Sequence, residues 1–173
     1  MNNSEIDARL RNEIIDAYGA YAEGIDSKNW SLVRSCFADE VYIDYGEISA
    51  ADGGPEEPRP IEKWMAHLQG VINGFDHTHH TLSNFRFNRD GERIACRAYL
   101  TAHHVIFSGP EPGTAGVDDV VTIVGEYTNS YERADQGWKI HRSRLQVYWS
   151  SGNPNLFPLA MQRAANMSSE SNT

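Results

Sequence analysis

Apolar positions recur at helical spacing through the first part of the chain and at every second residue through most of the rest. Ile6, Leu10, Ile14, Ala17/Tyr18, Tyr21 and Ile25 share one face of a helix expected over residues 4 to 25, with a cap at Asn3 or Ser4. A break from Gly24 to Ser27 opens a second helix carrying Trp30, Val33 and Phe37 on one side, and Val41 to Tyr45 then alternates as a short strand. The run from Gly46 to Pro60, rich in Gly, Pro and acidic residues, predicts a mobile loop of a length that often serves as a lid. Pro60 suits the first position of a third helix, whose Ile61, Trp64/Met65, Leu68 and Val71/Ile72 face one way before Gly74 ends it.

From there the period changes. Residues 78–88, 92–107, 119–134 and 137–149 read as long strands, separated by turn sequences at Asn88 to Gly91 and Ala134 to Gly137 and by a Gly/Pro loop at 108–118. Helices first and a curved, mostly antiparallel sheet afterwards predict an α+β fold. The domain is expected to end near residue 153. The segment 154–173 has an apolar first half (Leu156, Phe157, Leu159, Met161) that packs somewhere and a polar end expected to be disordered from about Met167.

A chain of 173 residues with 40% hydrophobic content holds one core and is short for two. Its net charge of -9 offers no basic stripe, which argues against nucleic acid and anionic membranes and for a neutral small molecule. No run approaches a membrane span, and the first residues lack the basic and apolar regions of a signal peptide, so a cytoplasmic protein is expected. Cys36 and Cys96 form no C-x-x-C motif and read as reduced structural thiols.

The chemistry-bearing residues admit bland readings when taken singly. Asp26, between the first two helices, suits a helix cap that accepts from the backbone at Lys28 or Asn29. In His77-Thr-His79-His80, His80 faces away from His77 and His79; the carboxylate usual in an H-x-H metal site is missing before Phe87, so no metal is expected. His103 and His104 form a second adjacent pair, of which one must point inward, with Tyr99, Thr101, His103 and Val105 on one side. Tyr18, Tyr21, Tyr42 and Tyr45 suggest a polar pocket together with the histidines. No nucleophile elbow, phosphate-binding loop or dinucleotide fingerprint occurs, and no cofactor is expected.

Several stretches, over roughly residues 8 to 150, resemble the SnoaL-like branch of the nuclear transport factor 2-like fold: Tyr21 to Trp30, Ile43-Asp44-Tyr45, His80, Thr101-Ala-His103, Tyr127 to Arg133, Trp138-Lys-Ile and Val147-Tyr-Trp149. The similarity is greatest to the scytalone dehydratases and more distant to hexachlorocyclohexane dehydrochlorinases and bile-acid 7α-dehydratases. It implies a cone-shaped α+β barrel in which Asp26 orients His80 as general base. His103, Tyr45 and Tyr21 would assist at the substrate oxygen, with Asn129, Gln146 and Tyr99 as substrate-binding positions. Ile25 stands where scytalone dehydratases carry a second water-binding tyrosine, and Gln146 where the more distant enzymes carry arginine. The implied activity is cofactor-independent removal of water from a small cyclic or polyketide-like hydroxy ketone. An isomerase or cyclase using the same base, or a non-catalytic binding module, is the alternative. The resemblance further implies a homo-oligomer, a trimer before a dimer.

Overall fold

The computed structural model describes residues 6–50, 53–109, 111 and 113–170. Helix α1 (Ala8–Asp26) begins where the Asp7 carboxylate accepts from Leu10 N at 2.8 Å, so the cap lies at Asp7; Asn3 and Ser4 fall outside the described residues. Helix α2 (Trp30–Ser35) is capped by Asn29, whose Oδ1 accepts from Leu32 N at 3.1 Å. That cap releases Asp26 for another task. Strand β1 (Phe37–Asp44) follows, then a short helix α3 (Glu47–Ala50), strand β2 (Arg59–Pro60) and helix α4 (Ile61–Ile72), which starts directly after Pro60.

The segment expected as an open loop is organised around a buried side chain. The Arg59 guanidinium donates to the carbonyls of Gly53 and Gly54, both at 3.0 Å, and of Ser49 at 3.4 Å. Short acidic and glycine-rich sequence hid this, because its anchor is one arginine at the far end.

Four long strands complete the sheet: β3 (His77–Asp90), β4 (Arg93–Val105), β5 (Val120–Ala134) and β6 (Gly137–Gly152). They pair antiparallel in sequence, while β1 joins β6 in parallel, giving the order β2-β1-β6-β5-β4-β3. A register shift between Ser83 and Arg86, with Asn84 at φ 54°, bends β3, and another between Val124 and Gly125 bends β5. Gly125 is required there, since a Cβ would lie 2.3 Å from the Gln146 carbonyl oxygen. The curved sheet wraps α1, α2 and α4 around a core that includes Ile14, Tyr18, Trp64, Ile94 and Ile140.

A second, smaller core of Phe75, Ile106, Val121, Leu156 and Ala160 lies under helix α5 (Leu156–Glu170). The helix runs through Met167, where a disordered end was expected. Its apolar face is buried, Arg163 pairs with Asp76 at 2.5 Å, and Gly74 meets the Ala160 carbonyl so closely that no Cβ fits. A polar sequence can stay helical when one face of it has a partner. Among the described residues no helix is long and apolar enough to cross a membrane. Both cysteines are buried and free, and burial pushes their thiols up to about 11 for Cys36 and about 12 for Cys96.

Candidate active site

The last residue of α1 meets the first residues of β3. Asp26 Oδ1 lies 2.6 Å from His80 Nδ1 and accepts from Thr78 Oγ1 at 2.9 Å, while Oδ2 accepts from His80 N at 2.8 Å. Burial alone would raise the Asp26 carboxyl, but the hydrogen bonds and charge of His80, helped by Thr78, outweigh it and hold the group below its ordinary 3.8. An ionised carboxylate only accepts, so His80 Nδ1 carries the proton and Nε2 presents its lone pair. Asp26 and His80 both line a groove of about 380 Å³ between α1 and β3, together with Gly19, Leu82 and Phe85.

Inward-facing side chains form successive layers across the sheet. The layer of His80, Ala102 and Ile123 is followed by Leu82, Leu100 and Gly125, and then by Ala98, Tyr127 and Leu145. Four residues of β5 separate Ile123 from Tyr127, roughly 13 Å of extended strand. Tyr21 and Tyr45 join Tyr127 in that deeper layer. Tyr45 OH lies 3.0 Å from Ser143 Oγ and 3.5 Å from Tyr21 OH, and its ring packs edge-on against Trp64 at 4.9 Å. Tyr127 packs against both tyrosines, with centroids 6.2 Å from Tyr21 and 5.9 Å from Tyr45. Burial raises all three hydroxyls, so each stays protonated.

Asn129 continues this network rather than facing a ligand. Its Oδ1 accepts from Ser143 Oγ at 2.7 Å and its Nδ2 donates to Tyr131 OH at 3.4 Å, at a fully buried position.

Three expected site residues point the other way. His103 sits on the outer face of the sheet, its Nδ1 2.9 Å from Thr122 Oγ1. Tyr99 is 47% exposed on the same face. Gln146, exposed and paired in register with Glu126, is there too. The physical reason is strand alternation: Ile94, Cys96, Ala98, Leu100 and Ala102 are all buried, and the next residue of that series is His104.

His104 is the inward histidine. Its ring centroid is 5.5 Å from that of His80, 5.0 Å from Phe75 and 5.1 Å from Phe157 of α5. Burial, and then the nearby His80, push it down to about 3, so it stays a neutral imidazole. The signal for it was present in the apolar even-numbered positions before it. Tyr127 carried no such signal, because a tyrosine inside a strand reads as core. Among the described residues no group of three or more His, Cys, Asp or Glu side chains is gathered to hold a metal ion.

With this geometry in place, comparison with known proteins gives a consistent relationship. The model of a SnoaL-like domain matches residues 7–144. The Kribbella flavida protein Kfla4162 is 28% identical, with a TM-score of 0.70 over 89% of this chain and 99% of its own. A candidate scytalone dehydratase from Novosphingobium aromaticivorans is 18% identical, with a TM-score of 0.64 over 83% of this chain and 91% of its own. The type-3 hexachlorocyclohexane dehydrochlorinase LinA from Novosphingobium barchaimii is 16% identical, with a TM-score of 0.63 over 84% and 91%. At that identity the last two bear on the fold alone. No curated protein matches the sequence.

Proposed function

The chain belongs to the SnoaL-like domain family, and from that premise we propose that it is a cofactor-independent lyase that eliminates water from a small cyclic or polyketide-like hydroxy ketone. The observation that carries this reading is the Asp26 carboxylate, which accepts from the His80 imidazole and backbone and from Thr78. It fixes the tautomer, leaves Nε2 as the base, and balances the imidazolium that forms.

In the proposed reaction the C–H bond α to the carbonyl breaks, the proton moves to His80 Nε2, and the electron pair moves to the carbonyl oxygen. The Tyr45 hydroxyl, which in the free protein donates to Ser143 Oγ because Ser143 gives its own proton to Asn129, turns to donate to that oxygen and stabilises the enolate. Electrons then return from the enolate, a C=C bond forms, the β C–O bond breaks, and the hydroxyl leaves as water with a proton from the His80 imidazolium. Helix α5 would shield the site from solvent on the side of His104, where its Phe157 packs.

A panel of cyclic β-hydroxy ketones, followed by mass spectrometry in normal and heavy water, tests the proposal. Loss of water supports it. Deuterium uptake at the α carbon without loss of water would make the protein an isomerase or cyclase, and neither change across the panel would refute base catalysis. Self-association belongs to the same proposal: Tyr99, Tyr148 and Trp149 are 47%, 51% and 55% exposed, on the outer face and its bulged edge, a surface suited to a second copy. A monomeric mass by analytical ultracentrifugation would overturn that part.

A further inference from the structure

The groove that holds Asp26 and His80 runs on well past the base. Its far end is marked by Ile15 on α1 and Phe85 on β3. Ile15 and Asp26 stand eleven positions apart on the helix, His80 and Phe85 five apart on the strand, so each wall is about 16 Å long. A single six-membered ring fills only part of that length. Phe85 lines the wall because β3 is bulged. Before the irregularity between Ser83 and Arg86 the inward side chains are His80 and Leu82; after it they are Phe85 and Phe87, which pack on the core. Unbroken alternation would have sent Phe85 outward.

The helix wall is built from Ile15, Gly19, Ala22 and Glu23. Glycine inside a helix costs stability relative to alanine, and a Cβ on Gly19 would meet nothing within 4 Å, so packing of the fold does not call for it. What its missing side chain does is keep the groove open midway along. Ile15, Leu82 and Phe85 are half-buried and offer carbon to whatever lies there. Glu23 stands one helical turn before Asp26, with about 5–6 Å between their Cβ atoms. No Lys or Arg lines the groove. Two carboxylates without a cation repel an anion.

We propose that this groove is a subsite for the non-reacting part of the substrate, an uncharged ring system or alkyl tail extending away from the ketone, and that Glu23 turns away substrates whose tail ends in a carboxylate or phosphate. Placing the reacting carbon at His80 rests on the lyase reading of the previous subsection. The length, apolarity and charge of the subsite do not.

The test uses three ketones that cannot eliminate water, acetophenone, 4-butylacetophenone and 4-(4-acetylphenyl)butanoate, titrated at low ionic strength into protein labelled with nitrogen-15. The butyl compound is expected to bind about tenfold tighter than acetophenone, since a half-buried wall covers part of the tail, and to shift the amides of Gly19, Ala22 and Leu82. In Gly19→Leu, which fills the groove, that ratio falls to about one. The butanoate binds no tighter than acetophenone, and Glu23→Gln strengthens it about threefold while leaving the butyl compound unchanged. Equal affinity of the butyl compound and acetophenone, amide shifts confined to other parts of the fold, or an unchanged ratio in Gly19→Leu overturns the subsite. A butanoate that binds as tightly as the butyl compound, or that Glu23→Gln does not affect, overturns the role of Glu23. Failure of all three probes to bind at millimolar concentration overturns both. The amide shifts are read in the unsubstituted protein, so the test survives a variant that does not fold. Tail binding along the groove without any dehydration in the β-hydroxy ketone panel would retain this inference and refute the lyase reading; dehydration without a tail effect would do the opposite.

Discussion

Two buried polar clusters share the inner face of the sheet and differ in how completely their hydrogen bonds are met. In the deep cluster, Tyr21, Tyr45, Ser143, Asn129 and Tyr131 form one chain of contacts, beside which Tyr18 donates to the Cys96 carbonyl at 2.7 Å. None of these side chains leaves a buried atom without a partner, and only the indole Nε1 of Trp64, packed against Tyr45, does so beside them. At the other end, Asp26 and His80 are tightly paired, yet His104 beside them keeps an orphaned nitrogen. A satisfied network holds strands and helices in register, whereas an unsatisfied buried atom leaves a hydrogen bond unmet in the fold.

The largest effect that would separate them is loss of the base. His80→Ala is expected to lower turnover of a responsive hydroxy ketone by about 10²–10⁴-fold while the protein remains folded; full turnover would place the chemistry elsewhere. Asp26→Asn should reduce kcat by roughly 10²-fold, since the amide can select the wrong tautomer. Because Asn29 already caps α2, that variant should remain folded, and a collapse in stability with normal turnover would return Asp26 to a structural role.

Asn129→Leu tests the deep cluster. It strands the Ser143 and Tyr131 hydroxyls and should cost roughly 2–4 kcal/mol in denaturant unfolding. A near-neutral effect would mean the network is not what holds β5 and β6 in place.

The remaining effect is a pH dependence. His104 in the fold titrates near 3, against an ordinary 6.5, so the unfolded chain binds its proton first and stability falls as pH drops from 6.5 toward 3. Asp26 acts in the same direction over a lower window: its depressed carboxyl stabilises the fold above about 3.8, and that contribution is lost as pH falls through the folded value. His104→Phe should flatten the upper window and leave the lower one. An unchanged profile in that variant would remove His104 as its cause.

Periodicity made the architecture legible. The spacing of Ile14, Tyr18, Tyr21 and Ile25 and the alternation of β4 correspond to buried faces in the fold, because a helix or strand must bury whichever face is apolar. Alternation also contained the choice between His103 and His104, in the buried series Ile94, Cys96, Ala98, Leu100 and Ala102 that His104 continues. The pairing of Asp26 with His80 was readable only through family likeness, since they lie on a helix end and a strand start far apart in sequence.

What the sequence determined by itself was the set of elements and the faces they bury, because those follow from local periods of apolar residues. Tertiary structure alone decided which polar groups are satisfied. Register across β4 and β5 turns His104 inward and His103 outward, Asn29 frees Asp26 from capping, and α5 brings Phe157 over His104. Hydrogen bonds are met or left open by neighbours distant in sequence, and no local pattern records which neighbours those are.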